Sequence, residues 1–303
     1  MTFYTRFRIV LVVALVCAAL GTANAAADEL TATTTIDTFS SAGDLYGPWQ
    51  TEALEYQWQA GPKDVPSITV LNRNDRDRNA LQQPVPTAST AVYADDYHTW
   101  SNSFFTYAQV MTSSGQILPN RLGYLEGDVK FGRKRNLVVG TGASLYANPD
   151  GSVTHGLSFG PTLYTGSMVY TARILPTTVN GSYTGIAQNG ARVSGTNSAT
   201  GTALELVAEY NVLGKDQITA TYLSGTQPGL LVGFVGTLPP SFTSLQRIGE
   251  VDLSAKHWIR RDFGFVLGGT LGSHALKSTG ANIYHQSAIT LGLFWGRAVG
   301  LPR

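Results

Sequence analysis

Cysteine is nearly absent: Cys17 is the only one among 303 residues, and it lies in the N-terminal apolar run. The body of the chain can therefore form no disulfide, no cysteine-ligated metal site and no thiol nucleophile. Charge is scarce as well. Lys, Arg, Asp and Glu make up 14%, and the net charge is +1. A near-neutral chain lacks the basic surface that nucleic-acid binding needs. Long apolar runs are missing beyond the N-terminus, the mean hydropathy is -0.01, and no later segment reads as a membrane helix. Amphipathic helical periodicity is also hard to find.

The N-terminus has the layout of a secretory signal. Arg6 and Arg8 precede an apolar run from Ile9 to Leu20, and Ala23-Asn24-Ala25 offers a cleavage site. The run is short for a membrane span, which takes about 20 apolar residues. Ala14-Leu15-Val16 before Cys17 does not fit a lipoprotein signal. The expected organisation is a cleaved signal peptide over 1–25 and one domain over 26–303.

What the chain has in quantity is Gly (33 residues), Tyr (14), Thr and Ser, a β-rich usage. Alternation with period two is frequent. Leu204, Leu206, Ala208, Tyr210 and Val212 fall on one face, with Glu205, Val207, Glu209 and Asn211 on the other. Val251, Leu253 and Ala255 oppose Glu250, Asp252, Ser254 and Lys256; Leu125, Val129 and Phe131 oppose Glu126, Asp128 and Lys130. Ile289, Leu291, Leu293 and Trp295 alternate with Ala288, Thr290, Gly292 and Phe294.

Strands are expected to begin near Leu30, Thr51, Ser67, Ala91, Phe104, Arg121, Leu137, Thr154, Ser167, Thr202, Gln217, Arg247, Phe263 and Gln286. The predicted fold is all-β: an antiparallel transmembrane barrel of about 14 strands, with 12 the alternative. The connections alternate in length. The odd ones, 40–50, 75–90, 113–120, 147–152, 177–201, 226–245 and 274–285, are mostly long, and most even ones are tight. Short periplasmic turns opposite longer external loops are the rule for bacterial outer-membrane barrels. A soluble periplasmic β-protein, the other fold considered, has no reason to sort its loops this way. Tyr56, Trp58, Tyr107, Tyr124, Tyr146, Tyr164, Tyr170, Tyr222, Trp258 and Trp295 lie near strand ends and are expected in interfacial girdles.

Two stretches carry a resemblance. Ser103-Phe-Phe-Thr-Tyr-Ala-Gln-Val110 with Ile117-Leu-Pro-Asn-Arg-Leu-Gly-Tyr124, and Gly156-Leu-Ser-Phe-Gly-Pro-Thr-Leu-Tyr164 with Tyr170-Thr-Ala-Arg-Ile-Leu-Pro176, resemble the YaiO family of outer-membrane barrels. The resemblance implies an outer-membrane location. The family's genes tend to lie near polysaccharide or glycosyltransferase functions, which implies a role in envelope glycan handling. Thr290 to Trp295 looks like the terminal segment read by barrel-assembly machinery, although eight residues follow it.

Motifs for chemistry are sparse. Gly140-Thr-Gly142 and Gly268-Gly269 lack the helix and Lys-Ser/Thr of a phosphate loop. His155 and Ser158, three apart on one strand, point to opposite faces. His274 near Ser273 or Ser278 has no visible carboxylate. No histidine pair has metal-ligand spacing, so neither a metal site nor a cofactor is expected, and no catalytic residue emerges. The informative charges are Glu55, Glu126, Asp128, Lys130, Arg173, Glu205, Glu209, Glu250, Asp252 and Lys256, all predicted to face the lumen, and Arg73 joins them on the polar face. They fit a polar, slightly acidic passage for cations or neutral sugars, or a web of salt bridges and hydrogen bonds that fills the barrel. A lipid- or lipopolysaccharide-modifying barrel enzyme is the third reading. The partners expected are outer-membrane lipids, barrel-assembly machinery and a polysaccharide or small solute, not nucleic acid.

Overall fold

A computed structural model describes residues 28–41, 48–78, 84–115, 118–149, 151–186, 192–212, 215–227, 245–276 and 282–297. The expected signal peptide over 1–25, Cys17, the apolar stretch 230–235 and the last six residues lie outside them.

Fourteen strands follow one another without a helix among the described residues. They are β1 (Asp28–Ser41), β2 (Trp49–Trp58), β3 (Asp64–Arg78), β4 (Pro84–Ser101), β5 (Phe104–Gly115), β6 (Arg121–Phe131) and β7 (Leu137–Ala147), then β8 (Val153–Thr165), β9 (Met168–Ile186), β10 (Arg192–Val212), β11 (Asp216–Gln227), β12 (Leu245–Arg260), β13 (Phe263–Leu276) and β14 (Asn282–Gly296). Each pairs antiparallel with its sequence neighbours, and β1 closes on β14 from Glu29↔Gly296 to Ser41↔Tyr284. Closure leaves no edge strand, the condition for a sheet to sit in hydrocarbon with every backbone group paired.

The period-two pattern decides which side chains meet the outside. On β6, Leu125, Val129 and Phe131 are 60%, 40% and 47% exposed, whereas Glu126, Asp128 and Lys130 are 4%, 6% and 8% exposed. On β14, Ile289, Leu291, Leu293 and Trp295 point out and Ala288, Thr290 and Phe294 point in. The outward apolar residues recur around the barrel: Ile68, Leu145, Leu157, Leu206, Leu253 and Leu267 are all exposed. A soluble protein does not carry an apolar surface of this extent. It is the lipid-facing band of a membrane barrel.

Parity also corrects the girdle. Trp58, Tyr170 and Trp295 lie on the outer face at the end where the chain turns tightly, joined there by Trp100 and Phe131. Tyr107, Tyr124, Tyr146, Tyr164 and Trp258 instead occupy inward positions, and Tyr146 is fully buried. Nearness to a strand end put them in the expected girdle, but a ring one position out of phase belongs to the lumen.

The tight turns need little chain. Between β8 and β9 only Gly166 and Ser167 intervene, and Gly166 adopts φ 62°, a conformation that costs glycine nothing. At the other end the strands run further than expected. The stretch 177–201, predicted as a loop, is largely strand: β9 continues to Ile186 and β10 starts at Arg192, paired from Thr177↔Gly201 to Ile186↔Arg192. The 75–90 connection is likewise mostly ladder, from Asp75↔Thr87 to Arg78↔Pro84. Most of the stretch 226–245 lies outside the described residues.

Candidate functional site

Charge lines the lumen wall, and alternation along the strands builds it. Glu55 on β2, Glu126, Asp128 and Lys130 on β6, Arg173 on β9, Glu205 and Glu209 on β10, and Glu250, Asp252 and Lys256 on β12 all occupy inward positions. None of these ten charges points to the lipid face.

Most of them are tied into contacts across or along the strands. Arg173 Nη2 donates to Glu126 Oε1 at 2.5 Å, bridging β9 to β6 across the interior. Glu126 also accepts the Tyr124 hydroxyl, which meets Ser158 Oγ at 3.1 Å. Glu205 stands directly opposite Arg173 in the β9–β10 register, so that one guanidinium faces two carboxylates. Lys256 Nζ donates to Glu29 and lies 4.9 Å from the Trp258 ring centroid and 4.7 Å from that of Phe294. Lys130 sits 5.1 Å from the Phe105 ring. Thr270 donates to Asp252 Oδ1 at 2.5 Å, and Asn211 to Glu209 Oε1 at 2.7 Å.

Arg73 takes the inward place that its phase in the sequence implies, whereas several other lumen residues escaped the sequence reading. Arg73, fully buried, bonds Asp75 at 3.0 Å and stacks 4.1 Å from the Trp49 ring centroid. Gln286 donates to Asp37 Oδ1 at 2.6 Å, and Ser67 to Asp95 Oδ2 at 2.8 Å. Three tyrosines form a continuous wall on adjacent strands: Tyr97 to Tyr107 at 4.6 Å and Tyr107 to Tyr124 at 5.9 Å between centroids. The phase of alternation was the available signal where a strand carries a recognised inward charge: Tyr124 lies two residues from Glu126, and Ser67 and Asp75 lie six and two from Arg73, whereas Asp37, Asp95, Tyr97, Tyr107 and Gln286 lie on strands without one.

The interior is not uniform. Leu118 and Pro119, from the β5–β6 connection, are tucked inside, and Leu118 packs with Ala91, Met111, Leu122 and Tyr146. Ser113 holds this segment by donating to the Pro119 carbonyl at 2.6 Å. On the β10–β12 arc the inward side chains are less covered. Ser254 is exposed, and Glu205, Thr219, Thr221 and Asp252 are only half-buried. One arc of the wall is thus packed and the other wet.

The histidines do not make a hydrolytic site of the kind sequence reasoning considered. His155 points outward and Ser158 inward. Ser273 Oγ and His285 Nδ1 do meet at 3.0 Å across β13 and β14. Among the described residues, however, no further hydrogen-bond partner orients His285, and nucleophilic catalysis needs such a group.

A closed sheet of fourteen strands, an apolar exterior with aromatics at the tight-turn end, and a charged interior define an outer-membrane β-barrel. The chain belongs to the YaiO membrane β-barrel domain family, whose model matches residues 27–228. No curated protein sequence matches it. Among solved structures, the translocator domain of the autotransporter NalP from Neisseria meningitidis is similar with TM-score 0.50 at 11% identity, over 93% of this chain and 92% of that one. The toluene transporter TodX from Pseudomonas putida is similar with TM-score 0.51 at 9% identity, over 90% of each chain. Likeness at such identities is a likeness of fold.

Proposed function

We propose that this barrel is a non-enzymatic passage, or an aid to export, for hydroxyl-rich solutes of the envelope, polysaccharide segments above all. The observation that carries the reading is the wet β10–β12 arc, where Ser254, Thr219, Thr221, Glu205 and Asp252 keep solvent contact inside a closed barrel. A sugar entering a pore must exchange its water hydrogen bonds for protein ones or lose free energy. Carboxylates and hydroxyls supply them, and tyrosine rings such as Tyr97, Tyr107 and Tyr124 offer flat apolar faces with a polar tip. Carboxylates outnumber cations on this wall, which favours neutral or cationic solutes over anions. The family's association with glycan functions points the same way. The β14 segment Thr290 to Trp295 is proposed as the stretch that barrel-assembly machinery engages, with outer-membrane lipids around the apolar band.

Planar-bilayer recording tests the proposal. The expected result is a cation-preferring conductance that neutral oligosaccharides block reversibly. A folded, inserted barrel with no conductance would overturn it. It would favour instead an interaction barrel with a filled interior, the reading that the inward-tucked Leu118 and the fully buried Arg73 support.

A further inference from the structure

One polar cluster sits where a membrane barrel should be apolar. Asp96 and His98, two apart on β4, share its outward face, and Asp64 on β3 stands directly opposite His98 in the register. All three are half-buried, close to the tight turn that joins β2 to β3 and therefore at the periplasmic rim. One ligand atom from each lies within 4.8 Å of the others. His98 Nδ1 meets Asp64 Oδ1 at 2.5 Å. Asp96 receives the Val65 backbone N–H, yet its Oδ1 is sealed from solvent with no hydrogen-bond partner. Two carboxylates held this close repel, and a sealed carboxylate oxygen without a donor is costly. The Asp64–His98 bond relieves only one of them.

We infer that Asp64, Asp96 and His98 form a binding site for a first-row divalent cation, zinc being the best match, on the outer face of the periplasmic rim. The donor set is one imidazole nitrogen and two carboxylate oxygens, a combination that suits zinc better than calcium or magnesium, which prefer all-oxygen sites. In a tetrahedral zinc site bonds of about 2.1 Å place ligand atoms roughly 3.4 Å apart. The present spread, within 4.8 Å, is close to that value. The three ligands come from one face of a two-strand ladder, so the remaining position opens outward, to water or a lipid phosphate oxygen. The surroundings are fixed in advance. Trp100 packs edge-on to His98 at 4.3 Å and donates its Nε1–H to Thr106 Oγ1 at 3.0 Å, the kind of shell that holds a ligating imidazole in place. A bound cation would clamp β3 to β4 at their periplasmic ends, opposite the connection that joins them.

The test uses the tag-free, chelator-stripped full barrel folded in detergent micelles, with Zn2+ titrated against a chromophoric competitor. Boiled and unboiled gel migration confirms folding of every variant. The expected result is about one equivalent of zinc per chain. Asp96→Asn and His98→Gln each weaken binding by roughly tenfold or more. Asp216→Asn, at the other His–Asp pair of this rim (His257 Nδ1 to Asp216 Oδ1, 2.7 Å), leaves it unchanged. Cobalt substitution gives visible absorption bands that Asp96→Asn removes. Absence of binding in the folded wild type would overturn the inference, and so would equal affinity in Asp96→Asn. Neither result bears on conductance, so this site and the proposed passage fail separately.

Discussion

Replacing Leu253 by Arg sets water and lipid against each other as the solvent of the outer face. Leu253 is 57% exposed near the middle of β12, and Ile259, on the same face near the periplasmic end, is 58% exposed. On a water-soluble protein both would be ordinary surface sites, where substitutions stay within about 0.5 kcal/mol. On a lipid-facing barrel wall, arginine costs about 2–4 kcal/mol at the bilayer midplane and about 0–1 kcal/mol near the interface. At about 1.4 kcal/mol per decade, Leu253→Arg then shifts the folding equilibrium roughly 30- to 700-fold, and Ile259→Arg less than about tenfold. Exposure is the same at the two positions, so only depth separates them. Denaturant unfolding of the barrel in lipid vesicles, followed by tryptophan emission, measures both. Equal and small effects would refute the membrane assignment of this face. Equal and large effects would refute the depth assigned to β12.

Glu126→Gln leaves Arg173 without its short ion pair. We expect a loss of about 2 kcal/mol in the same unfolding assay, below the roughly 3–5 kcal/mol of a fully buried pair because Arg173 keeps part of its surface wet. Gly160→Ala would place a Cβ 1.8 Å from the Ala172 carbonyl oxygen across the β8–β9 seam, and the expected outcome is loss of the heat-modifiable folded band. Replacing Glu205 and Asp252 together by their amides lowers cation preference in reversal-potential measurements, with conductance itself retained. Leu118→Gly empties part of the apolar packing inside the mouth and raises single-channel conductance.

Fourteen strands were legible because alternation is obligatory where one face meets lipid and the other a polar lumen. Leu125 to Phe131 and Ile289 to Trp295 show the rule without exception on the outer face. It fails where its physical cause ends. From Thr177 to Ile186, and from Arg192 to Gly201, the ladder continues, but the residues are mostly Thr, Ser, Asn and Gly with no apolar phase. Where no lipid meets the ribbon, nothing requires an apolar outer phase, and polar strand looks like loop. The misplaced aromatics have a different origin. Tyr124 and Trp258 were sorted by nearness to turns, although the inward charges Glu126 and Lys256, two residues away on the same strands, already fixed their phase. The Asp64–Asp96–His98 cluster was illegible for a third reason. Its members are joined by register across two strands, and spacing along one strand does not reveal it.

The pairing of the first strand with the last also sets an order in time. Thr35 and Thr290 share a hydrogen bond at 2.8 Å across 255 positions of sequence. Every other neighbour pair can form once a hairpin's worth of chain has arrived, but β1 must wait for nearly the whole polypeptide. Bringing such distant ends together costs about 5 kcal/mol of chain entropy, before any constant for stiffness. Until then two raw strand edges, at β1 and at the growing end, stand open to any other chain. A truncated product ending before β14 would never lose them. This barrel therefore has no safe half-made form, and whatever carries it to the membrane must shelter its beginning until its end is in place.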